Sequence, residues 1–169
     1  MVFSSLTFLC AFLPAVLLLY TLSKNITYKN AVLTAASLVF YAWGEPSLLV
    51  LLIAATIVNY VLALILGRCE KKRSKRVVLA LAVAFDIAMI GVFKYAGFIV
   101  SSVNAVLHTA IAVPQISLPL GISFYTFQIL TYVIDVYRGD TPVQKSYLKF
   151  LTFVSMFPQL IAGPIVRYS

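Results

Sequence analysis

Residues 118–139 read LPLGISFYTFQILTYVIDVYRG, and this stretch decides what kind of fold the chain can adopt. About 20 residues cross a hydrocarbon layer of ~30 Å, so the stretch is long enough for a membrane helix. It is not uniformly apolar. At helical spacing Gly121, Tyr125, Gln128, Tyr132 and Asp135 share one stripe, and Arg138 extends it by one step. Ile122, Thr126, Ile129, Val133 and Val136 form a second stripe, which reads as the opposite one. A helix facing lipid has no reason to carry phenols, an amide and a carboxylate on one side. That side must look into protein or water, which suits a pathway or a site better than a tether.

The remainder of the chain is more apolar still. Of its 169 residues, 62% are hydrophobic and 11% charged, with a mean hydropathy of +1.01. Soluble domains are closer to half apolar and a quarter charged. The fold class is therefore all-α: a polytopic integral membrane helical bundle forming a single domain over residues 1–169. The net charge of +8 is not a nucleic-acid footprint. Six of the thirteen basic residues fall between Arg68 and Arg76, in a loop between apolar spans, as expected of a short cytoplasmic loop. The partner this composition implies is the lipid bilayer. Cys10 and Cys69 suggest neither a disulfide framework nor a metal site.

Five or six membrane segments are expected, at 3–22, 31–43, 47–66, 77–95, 118–139 and 150–162. No basic residue precedes the first run, so it reads as a retained helix and not a secretory signal. The second is short for an upright span. Gly44-Glu45-Pro46 turns the chain, glycine suiting a helix end and proline a first helical position. Residues 98–113 are amphipathic, with Ile99, Val103, Val106 and Ala110 on one stripe, and read as a helix lying in the interface. Pro158 interrupts the last run, which must be kinked or re-entrant and buried in protein. With residues 68–76 in the cytoplasm and every segment crossing, the N-terminus and Glu45 are outside. Arg138, Lys145 and Lys149 then join the basic loop inside.

Several residues could carry chemistry. Asp86 is the lone acid inside its segment, and a charge at a helix centre costs about 2.5–3.5 kcal/mol on insertion scales. It either serves a cavity or makes a structural hydrogen bond. Lys94 lies about 12 Å along the axis, so the partner must sit on another helix. Asp135 and Arg138 read as a local ion pair, or Arg138 meets an anionic cytosolic ligand. Tyr125, Gln128, Tyr132 and Asn59 read as packing and interhelical hydrogen bonds more readily than as catalysts. His108 is the sole histidine and the default general base, yet no acid stands near it to orient it.

Four stretches, SLVFYAWGEP, FKYAGF, LPLGISFYTFQILTYVIDVYRG and FPQLIAGPIVRY, occur in this order. Together they resemble the membrane-bound O-acyltransferase family, in its bacterial branch of alginate type. The resemblance covers essentially the whole chain. It implies a helical fold pierced by a tunnel in the bacterial inner membrane, with acetyl-CoA or another acyl thioester as cytosolic donor. The acceptor would be a polysaccharide hydroxyl or a periplasmic acetyl-transfer protein. The family's essential histidine lies in a later helix, so His108 does not match it and no catalytic residue carries over. By resemblance, Tyr125, Gln128, Asp135, Arg138, Pro158, Gln159, Gly163 and Pro164 line the tunnel or pack its core. The expectation is the N-terminal portion of an O-acyltransferase, inactive alone. A small transporter or channel subunit using the polar stripe as a conduit is the alternative.

Overall fold

In the computed structural model, the residues described are 5–44, 46–107, 109–114, 121–158 and 168. All regular structure among them is helical. Seven α-helices run α1 (Leu13–Thr21), α2 (Ile26–Gly44), α3 (Pro46–Arg68), α4 (Lys72–Ile90), α5 (Ala96–Leu107), α6 (Ile122–Arg138) and α7 (Tyr147–Ser155). Short π-helical segments precede α1 (Phe8–Phe12) and join α4 to α5 (Gly91–Tyr95). Two helical runs, Leu49–Arg68 and Lys72–Leu107, are long and apolar enough to cross a membrane.

Helices α3, α4 and α6 pack against one another as a trio. Helix α7 lies along α2 and also touches α3 and α6. The main core is built of Leu52, Ala55, Ala63, Leu66, Ala82, Met89, Ile129, Val133 and their neighbours. A second cluster joins Phe8, Phe12, Phe40 and Phe157, with ring centroids 5.5–5.9 Å apart. It ties the beginning of the chain to the residues just after α7.

The structure corrects the helical wheel of α6. Its apolar and polar stripes are both buried. At about 100° per residue they are adjacent, not opposite, and make one broad protein-facing arc. The exposed side carries Phe124 and Phe127, which are 44% and 47% exposed. Left-handed glycines bound the helix: Gly121 at φ 75° and Gly139 at φ 84°. Gly139 and Asp140 donate back to the carbonyls of Val136 and Asp135, closing the last turn.

Other segments also differ from expectation. The run at 31–43 is part of a 19-residue helix, about 28 Å long, lengthened by residues ahead of it. It starts early because Asn25 Oδ1 accepts a hydrogen bond from the Thr27 amide at 2.8 Å, a side-chain cap ahead of the apolar run. Residues 77–95 and 98–113 are not a span followed by a separate interfacial helix. Lys72–Leu107 is one helical run of 36 residues. No residue of α5 is buried against the bundle. Beyond it, Asn104 Oδ1 accepts from the Thr109 hydroxyl (2.8 Å) and the Ile111 amide (3.0 Å), folding the chain back. The last helix breaks at Met156, with φ −52° and ψ 114°. Phe157 and Pro158 are helical again, which puts Pro158 in a first turn, where its missing amide hydrogen costs no helical bond. Glu45, His108, Leu118, Pro119, Gln159, Gly163 and Pro164 lie outside the described residues.

At Gly67, near the end of α3, a Cβ would run into the side chain of Val143 in the loop after α6. At Gly91 a Cβ would meet nothing within 4 Å. Gly67→Ala is therefore expected to destabilise the fold by about 1–3 kcal/mol. Gly91→Ala should be neutral or stabilising by up to about 1 kcal/mol, since alanine is the better helix former. Thermal unfolding of both variants in one detergent checks the contrast; equal midpoints would contradict it.

Candidate functional site

The centre of the α3–α4–α6 trio is polar. Asn59 of α3 and Asp86 of α4 are both fully buried. The Asn59 side-chain amide donates to Asp86 Oδ1 at 2.8 Å and to the Ala55 carbonyl at 3.1 Å. This is the partner on another helix that the lone acid requires. Lys94 is not that partner: it is exposed, with Nζ 3.5 Å from Ser123 Oγ. From α6, Tyr125 brings a fully buried ring into the same core, which also holds Tyr41. Asp86 Oδ2, Asn59 Oδ1, the Tyr125 hydroxyl, Thr126 Oγ1 and Ser155 Oγ have no partner among the described residues. Buried groups of this kind accept or donate to a bound hydroxyl or water, because leaving them unmade costs about 1–3 kcal/mol each.

Further along α6 the polar stripe makes structural contacts. Gln128 Nε2 donates to the Phe153 carbonyl of α7 at 2.9 Å. The Tyr132 hydroxyl accepts from the Gln144 amide at 2.9 Å, and its ring stands 5.0 Å from both Phe150 and Tyr168. Asp135 is buried and Arg138 exposed. No ion pair joins them among the described residues, so the local pairing at i, i+3 is not formed. Tyr125, Gln128, Tyr132 and Asp135 are thus buried inside the bundle, Gln128 and Tyr132 bonding toward α7 and the loop after α6, while Arg138 and Pro158 stay on its surface.

Sequence reasoning missed a second set of interhelical bonds. Thr34 of α2 and Thr152 of α7 meet hydroxyl to hydroxyl at 2.6 Å. The Phe157 amide donates to Ser37 Oγ at 3.2 Å, and Thr56 meets the Tyr147 hydroxyl at 3.0 Å. The signal was present: small hydroxyl residues inside apolar helices favour close approach and interhelical bonding. Chemically, the described residues provide hydrogen-bonding walls and no assembled nucleophile and base. No group of three His, Cys, Asp or Glu side chains that could hold a metal occurs among them.

Comparison with known proteins finds relatives by sequence. The chain is 46% identical over 173 residues to a protein of Azotobacter vinelandii named as a probable alginate O-acetylase, covering 99% of this chain and 34% of the relative. The Pseudomonas aeruginosa protein of the same name is 44% identical, with 99% and 33% covered. A peptidoglycan O-acetyltransferase of Helicobacter pylori is 31% identical over 197 residues, covering all of this chain and 37% of the relative. The chain thus spans about a third of the length of the curated relatives it matches. No protein-family model matches it, and no solved structure matches significantly. The resemblance carried by the four motifs therefore extends, by measured identity, across essentially the whole chain.

The Asn59–Asp86 bond yields a direct test. Asn59→Ala and Asp86→Ala are each expected to destabilise the bundle by about 1–3 kcal/mol. Their double-mutant coupling should fall near 0.6–1.7 kcal/mol, the range of interhelical hydrogen bonds in membranes. Equilibrium unfolding in mixed detergent measures the cycle, and strictly additive losses would show that the bond contributes no coupling.

Proposed function

We propose that this chain, which resembles O-acetyltransferases along its whole length, forms part of a polytopic membrane-bound O-acyltransferase. The reaction moves an acetyl or other acyl group from a cytosolic thioester, with acetyl-CoA as the donor, toward a polysaccharide hydroxyl or a periplasmic acetyl carrier. The observation that carries this reading is identity of 41–46% to alginate O-acetylases over 99% of the chain.

Acyl transfer from a thioester breaks the acceptor O–H bond and the C–S bond and forms a C–O bond. The proton passes through a general base to the leaving thiolate, and a developing oxyanion needs donors. None of the described residues is assigned as that base. Their role in this proposal is wall and scaffold. Asp86, Asn59 and Tyr125 offer unfilled hydrogen-bonding positions to a hydroxyl or water in transit, and Gln128 and Tyr132 hold α6 against α7 and the following loop. The base is supplied by a portion of the fold other than these helices. In this orientation the basic stretch 68–76 and Arg138 face the cytoplasm of a bacterial inner membrane, and the N-terminus is outside, following the distribution of Lys and Arg.

Co-expression tests the proposal. The chain is produced together with the portion of the Azotobacter vinelandii relative that it does not match, in a host lacking its own alginate O-acetylase. Ester-bound acetate on the secreted polymer is then measured. The expected result is acetate well above that of either piece alone. Absence of acetate with both pieces present in the membrane, together with ion flux through liposomes containing this chain only, would overturn acyl transfer in favour of a conduit.

A further inference from the structure

A cleft of about 560 Å³ opens at the C-terminal end of α3, away from the buried Asp86 cluster. It is lined by Tyr60, Leu64, Gly67, Arg68, Val143 and Lys145. Its walls are apolar and its two charges are both positive. Arg68 and Lys145 are exposed, and neither is in an ion pair among the described residues. The site is built and not merely a chance gap between side chains. The Tyr60 hydroxyl donates to the Lys145 carbonyl at 2.7 Å, which fixes the backbone carrying that lysine. The Tyr60 ring is itself held edge-on against Tyr147, 5.3 Å away. The missing Cβ of Gly67 lets Val143 seat against α3 and close the floor.

What leads into the cleft selects the ligand. Ile57, Val61 and Ile65 recur at every fourth residue of α3 and are 47%, 45% and 43% exposed. They form an apolar track along a membrane-length helix, and Arg68 lies at its end, three residues beyond Ile65. A soluble phosphate compound has no use for such a track. An amphipathic anion does: its acyl chain lies along the track and its phosphate arrives between Arg68 and Lys145. Basic pockets at the ends of membrane helices are suited to lipid headgroups.

We propose that the Arg68–Lys145 cleft binds the phosphodiester headgroup of an anionic phospholipid, whose acyl chain lies on the Ile57–Val61–Ile65 track. Such a lipid bridges α3 to the loop between α6 and α7, a role separate from acyl transfer.

The test is native mass spectrometry of the 169-residue chain extracted from vesicles of equimolar phosphatidylglycerol and phosphatidylcholine. Phosphatidylglycerol should be retained in preference. R68A/K145A should weaken its retention roughly 30-fold, since each cation near a headgroup contributes about a factor of five. The charge-conserving R68K/K145R should keep most of it, and Y60F, which frees Lys145 without changing charge, should give an intermediate loss. K72A/K75A removes equal charge from residues that do not line the cleft and should change retention less than twofold. Equal loss in the two alanine pairs would overturn the proposal in favour of a diffuse surface field. Displacement of the lipid by millimolar coenzyme A or inorganic phosphate would overturn it in favour of a soluble phosphate ligand.

Discussion

A carboxyl group at the centre of a membrane-length helix must be satisfied from another helix, and the rest of this structure follows from that constraint. Asp86 finds Asn59 at 2.8 Å. The bond ties α3 to α4, and α6 packs against both. Apolar packing between helices is weakly directional in lipid, because the tails are as apolar as leucine. A few polar contacts therefore select the register. The Thr34–Thr152 pair and the Gln128–Phe153 bond serve α7 in the same way.

Much of this was legible in the chain. The interhelical character of Asn59 and Gln128 followed from polar side chains in apolar runs. The distance argument against Lys94 correctly sent the search for the partner of Asp86 to another helix. An interruption of the last apolar run was legible from Pro158, and the chain breaks at Met156. The wheel of α6 was misjudged because two stripes separated by about 100° were treated as opposite faces. A period reveals which residues share a side. It does not reveal how wide the buried arc is, and that width depends on the number of neighbours, here α3, α4 and α7.

Other features depended on contacts that no local pattern encodes. The early start of α2 depends on one cap at Asn25. The expected division between a span and an interfacial helix rested on the amphipathic spacing of residues 98–113, yet the backbone continues through as helix to Leu107. The cleft at Arg68 and Lys145 joins residues 77 positions apart in sequence, so only the fold brings them together. Of the α6 residues suggested by resemblance, Tyr125, Gln128 and Asp135 are buried, and Arg138, the last residue of the helix, is exposed.

The π-helical segment Gly91–Tyr95 has a consequence for the long run it interrupts. A π turn accommodates an extra residue within a helix, and one residue corresponds to about 100° of rotation. Before it, Ala82, Asp86 and Met89 repeat at helical spacing as the buried edge of α4. After it, no residue of the segment or of α5 is buried. The segment marks a boundary within one continuous run: α4 before it has a buried edge, and nothing in the segment or in α5 is buried. Deleting a single residue there would turn the azimuth of everything from Ala96 onward while leaving the Asn59–Asp86 pairing in place.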